Sequence, residues 1–140
     1  MPRYNTKPHE FDTLFRAIYS GLGISDAPNE HHYQRLTIID RHYIFVSFVP
    51  SRYQPDKPLP FRLEWRLQTG GVEALRRIKA GHGERIETVM GQSLDWDENP
   101  GPFVAFLNLW YTGPDSDTAR IAWVLETAPR FIQSLRDAVK

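Results

Sequence analysis

Apolar side chains recur along this chain in two rhythms, and the switches between them mark its elements. Phe11, Leu14, Phe15, Ile18, Tyr19 and Leu22 fall at helical spacing, and Gly21 and Gly23 offer the positive-φ positions that end a helix. Residues 24–32 are polar and read as a loop. Residues 33–39 and 42–49, rich in β-branched and aromatic side chains, read as two strands of a hairpin joined by the short connection Asp40-Arg41-His42. Pro50, Pro55, Pro58 and Pro60 force an extended loop, because proline fixes its own φ and lacks a backbone donor. Residues 61–68 then alternate. Phe61, Leu63, Trp65 and Leu67 point one way, and Arg62, Glu64, Arg66 and Gln68 the other. That pattern predicts a strand with one buried face and one solvated face.

After Gly70 and Gly71 the period returns to that of a helix over 72–90, with Gly81-His82-Gly83 expected to interrupt it and Gly91 to close it. Residues 93–97 read as a short strand and Asn99-Pro100-Gly101-Pro102 as a turn. Residues 103–111 are apolar almost throughout, which predicts a central strand covered on both faces, with Trp96 and Trp110 in the core. A last helical stripe covers 118–139. Asp115 or Asp117 is the expected cap, and Pro129 is expected to kink or restart the helix near Thr127. The order is α-β-β-β-α-β-β-α. The fold class is therefore α+β: a single domain over residues 1–140, with a mainly antiparallel five-stranded sheet and two or three helices on one face. Residues 1–32 supply the N-terminal helix and loop, and residues 33–140 the sheet–helix core.

Composition narrows the function. At 140 residues the chain is large enough to bury a core, and 41% hydrophobic with 13% aromatic content excludes wholesale disorder. Seventeen Lys+Arg balance seventeen Asp+Glu, so a polybasic nucleic-acid binder is disfavoured and any charged surface must be a local patch. The absence of cysteine removes disulfides, thiol nucleophiles and thiolate metal sites. Met1-Pro2-Arg3-Tyr4-Asn5 lacks the apolar stretch of a secretory signal, and no apolar run is long enough to span a bilayer, so a cytoplasmic location is expected.

Several residue groups could carry chemistry. Glu30-His31-His32 and Asp40-x-His42 place imidazoles beside carboxylates, yet without the spacing of a known metal motif. Asp56 followed by Glu64-Trp65-Arg66 echoes the paired carboxylates of metal-dependent nucleases, and with His42 it defines the enzymatic alternative, a hydrolase or nuclease using His42, Asp56 and Glu64. Two features weigh against it. Arginine stands where a proton-transferring lysine is needed, and Asp56 sits in a proline-rich loop. Asp95, Asp97 and Glu98 with Asp115 and Asp117 could form an acidic cluster, although aspartates in turns are more simply caps. The remaining candidate is the outward row Arg62, Glu64 and Arg66, joined by Arg35 from a neighbouring strand. Such a row can grip carboxylates or phosphates bidentately, or be a solvated face neutralised by Glu64.

From residue 61 onward the order of features is also familiar. A strand leads to a helix with Leu75, Arg85-Ile86-Glu87 and Met90-Gly91. Leu94-x-Trp96, an apolar strand, Trp123, and a closing helix with Phe131 and Leu135 follow. This resembles an uncharacterised bacterial domain often found C-terminal to restriction-endonuclease-like nuclease modules. The Ile86-Glu87…Gly91-x-x-Leu94-x-Trp96 stretch carries most of the likeness. The resemblance brings no catalytic residue and implies an accessory or recognition role in a defence-type setting; a small, neutral, cysteine-free chain also suits a toxin-immunity inhibitor. The expectation is a non-catalytic binding module without a cofactor. It would recognise a protein or nucleic-acid partner through Arg35, Arg62, Glu64 and Arg66, away from any membrane.

Overall fold

Alternation in the middle of the chain sorts side chains onto two faces of one sheet, and the helices collect on only one of them. The computed structural model describes residues 11–98 and 104–140. Its elements are α1 (Asp12–Leu22), β1 (Tyr33–Ile39), β2 (His42–Phe48), β3 (Phe61–Leu67), α2 (Gly71–Met90), β4 (Asp95–Asp97), β5 (Ala105–Trp110) and α3 (Asp117–Ala138). A short 3-10 turn, Pro50–Arg52, precedes the proline-rich loop. The strands form one antiparallel sheet in the order β1-β2-β3-β5-β4, so the expected α+β class and element order hold. The expected turn at 99–102, residue 103 and the start Met1–Asn5 lie outside the described residues.

The core lies between the helices and the even face of β2. Ile44, Val46 and Phe48 meet Phe61, Leu63, Trp65 and Leu67 of β3 and Ala105, Leu107 and Leu109 of β5. Leu14, Phe15 and Ile18 of α1, Leu75 and Ile86 of α2, and Val124, Phe131 and Leu135 of α3 close over them. Burial of this many large apolar side chains is the main force holding sheet and helices together. Asp40 and Arg41 make a two-residue turn between β1 and β2 with φ of 48° and 69°, the left-handed pair that matches strand twist in a tight hairpin.

Neither α2 nor α3 is interrupted where an interruption or restart is expected. The helix α2 runs through Gly81-His82-Gly83, and α3 runs through Pro129. Gly83 serves packing instead: a Cβ there would sit 3.3 Å from the Trp96 indole, which lies against the helix. Pro129 is on the exposed side of α3. The cap of α3 is Ser116, whose Oγ accepts from the Ala119 N–H, while Asp115 and Asp117 both pair with Arg120. Glu87 explains the Ile86-Glu87…Leu94-x-Trp96 stretch. Its carboxylate accepts from the Leu94 amide at 2.7 Å and from Trp96 Nε1 at 3.4 Å, which ties the end of α2 to β4. No helix among the described residues is long and apolar enough to cross a membrane.

Candidate functional site

The second face of the sheet carries its own ordered layer. Its residues pair in rows that cross the strands. One row is Arg35–Phe45–Glu64–Asn108–Asp95, running from β1 to β4 through β2, β3 and β5. On one side lies Tyr33–Ser47–Arg62–Trp110, and on the other Ile38–Tyr43–Arg66–Phe106–Asp97. A shift in the β1 register between Arg35 and Thr37 lets Arg35 and Ile38 both join these rows. Among the described residues no helix covers this face, since the buried apolar residues of all three helices belong to the core on the other side.

The alternation of β3 is as expected, but its second face is not solvated. Glu64 is fully buried and Arg62 only 7% exposed. The cause lies within the layer itself. Arg66 clasps Glu64 through Nε and an Nη at 3.3 and 3.1 Å, and Arg62 reaches the same carboxylate at 3.4 Å. The two long side chains fold over the carboxylate, and Phe45 and Asn108 flank it in register. Arg62 also donates to Asn108 Oδ1, and Asn108 in turn donates to Asp95, which accepts from Trp110 Nε1 at 3.0 Å. The buried Nε of Arg62 finds no acceptor among the described residues. Burial pulls the Arg62 pKa below its ordinary value while Glu64 opposes the shift; a guanidinium stays charged at neutral pH regardless.

Guanidinium planes lie over aromatic rings throughout. Arg66 sits 4.2 Å from the Phe45 centroid, Arg35 lies 3.7 Å over Tyr43, and Arg62 and Arg52 share the Trp110 ring at 5.2 and 5.0 Å. Sequence reasoning found the arginines and missed these rings. Trp110 is half-buried on this face and not in the core, because β5 gives Leu107 and Leu109 to the helices and Phe106, Asn108 and Trp110 to the opposite side. Arg35 is also one strand further away than expected, since β2 lies between β1 and β3.

The residues of the enzymatic alternative do not converge. His42 shares the parity of Ile44 and Val46 and so points to the helix side, opposite Glu64. Asp56 is exposed in the loop before β3. The acidic candidates scatter too: Glu98 pairs with Arg76, Asp95 with Asn108 and Trp110, and Asp115 and Asp117 with Arg120. Among the described residues no three His, Asp or Glu side chains gather as a metal site. No protein-family model, curated protein or solved structure matches the chain.

His42 instead has a structural job with a pH signature. Its Nδ1 accepts the Gln68 amide at 3.1 Å, which requires the neutral ring, and burial pushes its pKa below the ordinary 6.5, with Asp40 partly opposing. His32 is shifted the same way, chiefly by burial. Below pH 6.5 the unfolded chain takes up protons that the folded imidazoles refuse, so stability falls as pH falls through that region. Melting temperature should therefore drop between pH 7.5 and 5.5, and His42→Asn, whose amide oxygen can still accept from Gln68, should flatten that slope. An unchanged slope would remove His42 as its source.

Proposed function

We propose that this protein is a non-catalytic module that binds a partner protein through the open face of its sheet. The observation that carries this reading is the composition of that face. Its rows hold Tyr33, Tyr43, Phe45, Phe106 and Trp110 with Arg35, Arg62 and Arg66, and no lysine. Tyrosine, tryptophan and arginine are the side chains that concentrate binding energy in protein interfaces, whereas lysine is depleted there. A nucleic-acid surface would need a surplus of cations free to meet phosphates, and here Glu64 already holds Arg62 and Arg66. The face is also pre-organised. The ion pairs and ring contacts fix rotamers before any partner arrives, which lowers the entropy lost on binding. An accessory role, as the likeness of residues 61–140 implies, agrees with this reading; a place in a defence or immunity system is part of the proposal.

Affinity capture from the source cells, after nuclease treatment, tests it with three forms of the protein. Wild type and Arg77→Glu, an exposed change on α2, should retain one protein partner. Arg35→Glu, an exposed reversal on the open face, should lose it by tenfold or more while melting as wild type does. Retention by a folded Arg35→Glu, or capture abolished by nuclease, would move the function elsewhere.

A further inference from the structure

Between the loop that enters β1 and the first three strands, the open face sinks into a depression of about 460 Å³. That lies within the roughly 300–1,000 Å³ of ordinary ligand clefts. Tyr33 and Tyr43 form part of its walls, Phe45 and Arg66 lie in it, and the His31 ring extends one wall by stacking on Tyr33 at 5.0 Å with an interplanar angle of 4°. Its two guanidiniums are in opposite states. The Arg66 fork is turned onto Glu64, through Nε and one Nη. Arg35 is exposed, its guanidinium carbon lies 3.7 Å over the Tyr43 ring centroid, and its side chain donates no hydrogen bond among the described residues. Its backbone is pinned as well, because the Tyr19 hydroxyl donates to the Arg35 carbonyl at 2.6 Å.

We infer that this depression is the specificity subsite of the proposed interface, and that it takes an aspartate or glutamate side chain from an extended segment of the partner protein. The inference rests on the protein-binding reading above. Three features support it. The Tyr43 ring lies against the Arg35 guanidinium, and its N–H donors hold no acceptor among the described residues, so they are free to receive a carboxylate bidentately. The β1–β3 part of the face carries Arg35, Arg62 and Arg66 against the single carboxylate of Glu64, so an incoming negative charge is attracted there. The opposite edge, β4, carries Asp95, whose partners Asn108 and Trp110 are neutral, and would repel the same group, which sets the direction in which an acidic segment lies. The space beyond one carboxylate is bounded by Tyr33, Tyr43 and the His31 ring, which suits an apolar or aromatic neighbour of the acidic residue.

The test pans a displayed library of random linear peptides on the whole protein. Enriched peptides are then synthesised with amidated C-termini, in their acidic form and with Asp or Glu changed to Asn or Gln. Binding is titrated against wild type and Arg35→Gln while backbone amide shifts are followed. Enriched sequences should contain an acidic residue, and its amide form should bind wild type about 10- to 100-fold more weakly, the range for a charge-assisted hydrogen bond. Arg35→Gln, an exposed change that leaves the fold intact, should bind both forms alike. Equal binding of the two forms by wild type, or a preference that survives Arg35→Gln, overturns the subsite. If the footprint still falls on the rows of β1, β2 and β3, the interface reading stands without it. A footprint on the helices, or no enrichment at all, overturns both. A thymidine oligonucleotide that binds more tightly than any peptide and depends on Arg35 overturns the assignment to protein.

Discussion

Replacing Arg62 and Arg66 together by methionine will cost this protein about 3–5 kcal/mol of stability, the size expected when a buried charge loses its partner. Glu64 has no exposure to solvent, and its three contacts with cationic nitrogens all come from those two arginines. The companion variant Arg62→Met, Glu64→Leu and Arg66→Met should recover most or all of that loss. Replacing a buried ionic cluster wholesale by apolar side chains of similar size is often neutral or stabilising, because desolvation of the charges disappears with the charges. Urea unfolding of the two variants beside wild type gives the comparison. If the double variant were as stable as wild type, Glu64 would be reaching water or another cation, and the layer would not be closed over it. If the triple variant were no better than the double, the cost would lie in lost side-chain packing over Phe45 and Phe106 and not in the stranded carboxylate. A triple variant that is stable yet fails to retain the partner would show that the ionic layer exists for recognition and not for folding.

Much of the fold was legible in the sequence because each element announces itself locally. The alternation of residues 61–68 and the helical spacings of residues 11–22, 72–90 and 118–139 are short-range signals, and the element order they imply is the one observed. What stayed hidden depends on strand order. Nothing local says that β5 inserts between β3 and β4, or that β2 separates Arg35 from Arg62. Without that register the rows could not be assembled, so Glu64 read as solvated when two arginines cover it. The same limit misplaced Trp110. An apolar run can be covered on both faces by helices, or on one face by helices and on the other by its own aromatic and arginine neighbours, and period alone does not separate these cases. The continuity of α2 through Gly81-His82-Gly83 and of α3 through Pro129 has a common origin. Helix propensity is a weak prior, and packing of Leu75, Ile86, Phe131 and Leu135 into the core overrides it.

The two faces of the sheet should also respond differently to loss of a tryptophan. Trp65 is 1% exposed on the helix side, pairs in register with Ile44 and Leu107, and donates Nε1 to the His42 carbonyl at 3.2 Å. Trp65→Ala removes the largest side chain of the core and the Nε1 bond to that carbonyl, and leaves a cavity that rigid neighbours fill only in part, so it should cost about 3–5 kcal/mol. Trp110→Ala empties a half-buried position on the open face, where water can enter and where Asp95 keeps its bond from Asn108. Its cost in stability should be clearly smaller, and its effect should fall on partner binding, since a tryptophan flanked by Arg52 and Arg62 is the kind of anchor that concentrates interface energy. Urea unfolding and partner capture on the same two variants separate the roles. The expected pattern is a crossed one: Trp65→Ala unfolds early but binds while folded, and Trp110→Ala stays folded but binds poorly. Equal destabilisation by both would mean that the sheet has two cores, and that its open face is covered in the functional protein by something that contributes to folding.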